Sequence, residues 1–537
     1  NELRKQTEFL KKPPSRRSGY DLTFSAPKSV SLAALVGGDK KILEAHREAV
    51  QAALAIVEKE YSQTRVRQYG QSEREIEVTG KIAVATFEHD VSRKTDPQLH
   101  THCVLMNFTK RDDGSWRSIH QDGFFYNSKK IGSIYQNELA KRIQNLGYEI
   151  KLNPNGTFDM KGYSEDQLRQ FSKRTEQLKE LGALTQKQAT RIIKKNRDKK
   201  NENIPRDVLY KKWKDEANSV GIKHPEIKIH SDFKKDNKKN SDDYLNEVII
   251  NSVKDLTDKE VSFKKSFLEA AVLGKTLGQY DYKEVVKKLD VYLEENTQIV
   301  GTKNVPEYVP NHILALEKES IALMQRGKDT FDSILSLSEA RIVTDNLHKK
   351  SIESGHKDGL NAGQREAIEV MLTANDRIYA WQGVAGAGKS FSLGSASKIA
   401  TEKGYTVRGF APAAEAAKNL AAEAKLSEAH TVASLLVKET SGGRAKGKEI
   451  WIVDEAGLLS AADAHALLKK AEIENARVLL VGDTRQLSSV GAGNPFKQLQ
   501  SYGMKTAQLT QGVRQLDDTM KNSINLIAAN EHKKGLE

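Results

Sequence analysis

Short apolar clusters alternate with turn signals over the first hundred or so residues. Tyr20-Asp21-Leu22-Thr23-Phe24-Ser25 opens a β-prone stretch over residues 20–35, and helical periodicity follows from about Lys40 to Tyr61. Residues 78–88 and 98–108 are apolar and β-branched and predict two strands, separated by the turn-like insert Ser92-Arg93-Lys94-Thr95-Asp96-Pro97. Asp112-Asp113-Gly114 marks another turn, and a helix is predicted over about 129–146. From about 164 to 220 the pattern is helical and very basic, as in Arg191-Ile192-Ile193-Lys194-Lys195. Lys234–Ser241 is polar with no apolar period and predicts a linker, and a helical block covers about 243–355. From 360 onward apolar runs such as Arg377–Trp381, Glu449–Val453 and Arg477–Val481 alternate with helical stretches, the mark of a parallel sheet.

A chain of 537 residues is too long for one core, and two to four domains are expected. Hydrophobic residues at 38% and charged residues at 29% suit a soluble globular protein, and no apolar run is long enough to span a bilayer. No signal peptide is evident. The single cysteine, Cys103, excludes a disulfide framework and fits a reducing compartment. The net charge of +13 points to a polyanion partner, because Lys and Arg that neutralise phosphates release counterions. The chain begins at Asn1 rather than Met, which predicts a start inside a longer protein or processing.

Gly383-Val384-Ala385-Gly386-Ala387-Gly388-Lys389-Ser390 fits a phosphate loop between a strand and a helix. Gly383, Gly386 and Gly388 let amides curl round phosphates, the helix N-terminus adds its dipole, Lys389 reaches the outer phosphates and Ser390 holds Mg²⁺. Asp454-Glu455 ends an apolar strand. Asp454 would hold Mg²⁺ directly or through water, and Glu455 would orient the attacking water. ATP with Mg²⁺ is therefore the expected ligand.

His100-Thr101-His102 lies in a predicted strand, so alternation puts both imidazoles on one face, and a hairpin across Ser92–Pro97 brings His89 beside them. Three neutral imidazoles make a divalent metal site with open positions, able to polarise a phosphodiester. Mg²⁺ or Mn²⁺ is expected, with Zn²⁺ a further option. Lys28, Arg93, Lys94, Trp116 and Trp213 are candidate DNA contacts.

The second half resembles superfamily 1 helicases. That resemblance implies that Gln364, in Leu360-Asn361-Ala362-Gly363-Gln364, reads adenine. It also implies that Gln486, in Val481–Leu487, senses the γ-phosphate, that Arg514, in Leu509–Gln515, is an arginine finger, and that Phe410-Ala411-Pro412 and His430-Thr431 line a DNA track. The first half resembles MobF relaxases, the TrwC/TraI family of HUH endonucleases. The likeness is carried by Phe87–His102 through Asn107 and by Gly19–Ser29, with further matches at Leu139-Ala140, Leu146–Glu149, Phe171–Arg174 and Ala189–Arg191. It implies that the three histidines hold the metal. Asp21 would accept the proton of a nucleophilic tyrosine or orient a histidine. The family's nucleophilic tyrosines lie upstream of the Asp21 motif; Tyr20, inside that motif, is not read as the nucleophile. The chain is thus expected to lack that tyrosine and the later helicase motifs, and to bind metal, DNA and ATP without nicking.

The expected fold is multidomain: an α+β relaxase domain of HUH type over 1–230, built on an antiparallel sheet with helices, then a linker over 231–242. A helical N-terminal region of the helicase follows over 243–355, then an α/β RecA-like P-loop NTPase domain over 356–508 and the start of a second motor domain over 509–537. The resemblance implies a bacterial, cytoplasmic enzyme that joins strand-specific transesterification at a transfer origin to 5′–3′ unwinding. Its expected partners are single-stranded origin DNA, relaxosome accessory proteins and a type IV secretion coupling protein, with no membrane insertion. A repair or recombination helicase with a non-catalytic front domain is the alternative.

Overall fold

In the computed structural model the alternation around His100 becomes a strand whose two faces have different neighbours. The structure describes residues 17–67, 74–180, 204–227, 241–302, 305–355, 359–384, 386–438, 448–485 and 492–510. Strand β1 (Gly19–Ser25) is followed by helices α1 (Lys28–Leu35) and α2 (Lys40–Tyr61), and the β2–β3 hairpin (Gln63–Arg67, Arg74–Val78) precedes β4 (Val84–Val91) and β5 (Pro97–Met106). The sheet order is β1-β5-β4, antiparallel throughout. The predicted strand over 78–88 is therefore two strands: it breaks after Val78 at Thr79-Gly80, where Gly80 takes φ 65°.

Along β5 every second residue is buried, including Leu99, Thr101, Cys103 and Leu105. That face packs under α1, α2 and α4 (Ser128–Asn145); α3 (Asp122–Tyr126) precedes α4. Helix α2 starts at Asp39, whose side chain accepts from the Lys41 amide at 2.8 Å, and it buries the stripe Ile42, Ala45, Ala49, Val50, Ala53 and Val57. A polar bridge crosses this core. His46, fully buried, meets Tyr135 Oη through Nδ1 and Thr101 Oγ1 through Nε2, both at 2.8 Å. Burial holds its pKa down at about 4, so it is a neutral bridge from two helices to β5.

The two-stranded sheet β6–β7 (Ile150–Leu152, Phe158–Met160) comes next, then helices α5 (Glu165–Gln170), α6 (Lys173–Glu180), α7 (Arg206–Ser219), α8 (Ser241–Thr257), α9 (Lys265–Lys275) and α10 (Tyr282–Asn296), and the two-stranded sheet β8–β9 (Thr297–Thr302, Val305–Pro310). The helical region expected over 243–355 does not form one body. Residues Phe263–Glu295 belong to the first compact unit, with Asn1–Lys254 and Ile299–Tyr308. The reason is a buried ion cluster: Lys130 of α4 lies 2.5 Å from Glu269 and 2.8 Å from Glu60, with the Tyr61 and Tyr282 rings each 5.4 Å from its ammonium. Asn137 adds hydrogen bonds to the Tyr280 carbonyl and the Gly278 amide. The expected linker lies outside the described residues except for Ser241 and Asp242, which begin α8.

The second unit contains Val309–Glu537. Here α11 (Asn311–Arg326), α12 (Leu337–Glu353) and α13 (Ala362–Thr373) precede a six-stranded sheet, so the motor unit begins before the expected residue 356. Its strands are β10 (Ile378–Gly383), β11 (Thr406–Ala411), β12 (Ala429–Thr431), β13 (Glu449–Val453), β14 (Arg477–Gly482) and β15 (Thr506–Leu509). The order is β12-β11-β13-β14-β10-β15, and every pairing is parallel. All six residues of β14 are buried, as in a sheet covered on both faces. The ends of β10 and β13 project on one edge, separated by β14, which is where ligands bind in such sheets.

Candidate metal centre and nucleotide site

On the open face of the first sheet three imidazoles converge. His100 and His102 are two apart on β5, and His89 stands directly opposite His100 on β4, just before a register shift at Val91. The ring centroids form a near-equilateral triangle of 5.4, 5.3 and 5.3 Å. One ion bonded at about 2.1 Å to a nitrogen of each ring would set the centroids roughly 5 Å apart. The spacing therefore fits a shared metal. The donor atoms are not closed into a finished cage: among the described residues no group of three or more His, Cys, Asp or Glu stands ready to hold an ion. Ring rotation about χ2, which is soft for imidazole, is the movement left to make.

The outer partners fix the tautomers. His102 Nδ1 lies 2.8 Å from Asp21 Oδ2 and 3.1 Å from Thr23 Oγ1, and His100 Nδ1 lies 2.8 Å from the Gln98 carbonyl. A carbonyl and a carboxylate only accept, so each Nδ1 carries the proton and each Nε2 carries the lone pair. Of the two roles open to Asp21, the geometry displays the one that orients a histidine.

The turn joining β4 and β5 is held from several sides. Asp90 receives Tyr210 Oη and Arg206, each at 3.0 Å. Trp213 Nε1 donates to the Thr95 carbonyl at 2.8 Å, and the Lys173 amide donates to buried Asp96 at 3.0 Å. Lys28 donates to the Pro97 carbonyl at 2.8 Å, and burial lowers its pKa to about 8. Two candidate DNA contacts are thereby corrected: Lys28 is spent on Pro97, and Trp213 is 1% exposed. Trp116 is 60% exposed, edge-on to Phe108 at 5.4 Å, and stays open to a base. Phe410 is buried against Trp451, so it does not face a DNA track.

In the second unit β10 ends at Gly383, and helix α14 (Lys389–Glu402) starts after Gly386 and Gly388. Both glycines adopt φ near +76°, which L side chains rarely take, and this leaves room for backbone amides to face a phosphate. Lys389 Nζ donates to the Gly383 carbonyl at 2.6 Å. Its pKa is lowered by burial, against the pull of Asp454, Asp483 and Glu455. Asp454 is raised by burial, and Glu455 by burial and then by Asp454. Glu455 also sits at φ 51°, a strained conformation that turns its backbone sharply at the strand end. The side chain of Gln364 closes a capping box with Asn361 at the start of α13, so its carbonyl oxygen already accepts from the Asn361 amide at 3.0 Å. Gln486 and Arg514 lie outside the described residues. Sequence reading missed Gln382, whose amide donates to Asp483 at 2.9 Å while its oxygen accepts from the Thr484 amide.

Residues 2–220 match the TrwC relaxase family model, and residues 359–537 match an AAA domain. The multifunctional conjugation protein TraI of Escherichia coli is 28% identical over 518 residues, which cover 91% of this chain. A solved conjugative relaxase TrwC, in complex with oriT DNA and metal-bound, is 39% identical; the match covers 39% of this chain and 74% of that one, at a TM-score of 0.37. The chain belongs to the MobF family of conjugative relaxase–helicases. It spans 27% of the length of TraI. Likeness to the ATP-dependent RecD2 DNA helicase of Deinococcus radiodurans, 35% identical, covers only 30% of this chain. In MobF terms the three-histidine face lies inside the relaxase match, and the phosphate loop lies inside the AAA match, which implies nucleotide binding. Among the described residues no helix is long and apolar enough to cross a membrane.

Proposed function

We propose that this chain supplies the metal centre and the nucleotide site for the two linked activities of a conjugative relaxase–helicase in the bacterial cytoplasm. One is metal-dependent, strand-specific transesterification of single-stranded DNA at a transfer origin. The other is ATP-driven 5′–3′ unwinding. His89, His100 and His102 would hold the ion, which when bound polarises the scissile phosphate. Three imidazoles suit a transition ion better than Mg²⁺, which prefers oxygen ligands, so Mn²⁺ or Zn²⁺ is proposed here and Mg²⁺ at the nucleotide. Asp21 keeps His102 in the tautomer that presents Nε2. Lys389 and the loop amides bind phosphates, Asp454 and Ser390 hold Mg²⁺, and Glu455 orients water. Gln364, Gln486 and Arg514 are assigned to adenine, the γ-phosphate and transition-state charge. Relaxosome accessory proteins and a type IV coupling protein are the proposed protein partners.

The observation that carries this reading is the ring triangle with Asp21 behind it: three imidazole centroids 5.3–5.4 Å apart and a carboxylate 2.8 Å from one ring. Origin recognition separates it from a general DNA motor. Selection of bound molecules from a random single-stranded DNA pool should enrich one sequence family. A pool that stays random after repeated rounds would contradict the proposal.

A further inference from the structure

Ser390 is assigned to magnesium, yet its hydroxyl already has a partner that no phosphate-loop motif supplies. It donates to the carboxylate of Glu423, thirty-three residues away. Glu423 lies in the last turn of helix α15 (Ala414–Ala424), where the negative end of the helix dipole disfavours an acidic side chain and the turn itself holds no basic residue. Helix α15 stops immediately afterwards, at Lys425 with φ 52°.

The approach is built into the packing of the two helices. Ser390 and Gly394 are four residues apart on one face of α14. A Cβ on Gly394 would stand 3.1 Å from the Ala424 carbonyl oxygen and 3.5 Å from its Cα. With glycine there, the end of α15 lies against α14 one turn above Ser390, and the residue next to Ala424 is Glu423. Ala424 itself is buried, so this end of α15 is anchored rather than free.

We infer that Glu423 is a third carboxylate of the nucleotide's magnesium site, orienting the Ser390 hydroxyl towards the ion and making nucleotide binding depend on magnesium. The inference rests on the nucleotide reading given above. A hydroxyl that gives its proton to Glu423 keeps its lone pairs for the ion. The same negative charge, added to Asp454 and Glu455, opposes phosphates that arrive without a cation. Glu423 touches neither nucleotide nor water in this account; it is a positioning residue that acts through Ser390 and through its charge.

The test is the affinity of the full chain for a fluorescent ADP analogue, with Mg²⁺ and with EDTA, for wild type, Glu423→Gln and Glu423→Ala. The quantity read is the ratio of the two dissociation constants, which a merely structural residue leaves unmoved. In the wild type, binding weakens strongly in EDTA. Glu423→Gln keeps an acceptor for Ser390 and loses the charge. It should hold the Mg²⁺ affinity within about twofold and tighten EDTA binding, so the ratio falls. Glu423→Ala loses both, and its Mg²⁺ affinity should drop by about tenfold, as for other outer-shell metal partners. Thermal unfolding confirms that both variants fold. A ratio equal to wild type in both variants overturns the inference and leaves the nucleotide site standing. Wild type that binds no analogue in either condition overturns the nucleotide reading, and this inference with it.

Discussion

His89 and His100 are direct partners across the β4–β5 ladder, and their rings stack with planes 22° apart and centroids 5.4 Å apart. The stack depends on where the turn between the strands sits. That turn is held by α7, through Trp213 to the Thr95 carbonyl and through Tyr210 and Arg206 to Asp90, the residue after His89. Trp213→Ala removes a fully buried ring and the bond to Thr95. It should cost about 3–5 kcal/mol of stability in the first unit, read by urea unfolding followed by circular dichroism. Metal affinity should fall with it; unchanged affinity would separate the clamp from the metal centre.

Asp21 bears on the metal without being one of the three imidazoles. Replacing it by Asn leaves an oxygen that still accepts from His102 Nδ1, and replacing it by Ala leaves none. Mn²⁺ affinity should fall by about tenfold in Asp21→Asn and by up to about a hundredfold in Asp21→Ala. Equal affinities in all three proteins would assign Asp21 to some other task.

Acid should weaken the first unit through His46. Its folded pKa, about 4, lies below the ordinary value of 6.5 because burial disfavours the charged ring. The unfolded chain therefore binds the proton first, and stability is lost as pH falls from 6.5 towards 4. Between pH 7 and pH 5 the loss from this one group should be about 2 kcal/mol. Denaturant unfolding at the two pH values should show that loss in the wild type and a loss smaller by that amount in His46→Gln.

The phosphate loop makes a separate prediction. Lys389 sits among Asp454, Asp483 and Glu455 and bonds the Gly383 carbonyl, poised at the strand end. Lys389→Ala should weaken binding of a fluorescent ADP analogue by about 10- to 100-fold, the worth of one charge-assisted contact. Mn²⁺ binding at the histidines should not change.

Much of this was legible from side-chain pattern. Period-two alternation placed His100 and His102 on one face, and the turn at Ser92–Pro97 brought His89 opposite. The parallel sheet was readable because buried strands such as Arg477–Gly482 are apolar runs that alternate with helical stretches. Contacts that depend on tertiary approach were not readable. Lys130 in α4 looks like any surface lysine until Glu269, far along the chain, is packed on it, and that pairing moved the boundary of the first unit. Lys28 and Trp213 carry the chemistry of a DNA contact, but burial assigned both to the turn. Gln382 directly precedes the phosphate loop, but its bonds to Asp483 and Thr484 follow from strand order, and Glu423 reaches Ser390 only through the close approach at Gly394.

The chemistry proposed for the first unit depends on the three imidazoles sharing one ion. Calorimetric titration of Mn²⁺ into the chain tests it, beside the triple variant His89→Ala, His100→Ala, His102→Ala, with circular dichroism to confirm that the variant folds. One ion bound by the wild type beyond any held by the variant is the predicted result. Identical titration curves for the two proteins would contradict it and leave the first unit as a DNA-binding fold without a metal centre.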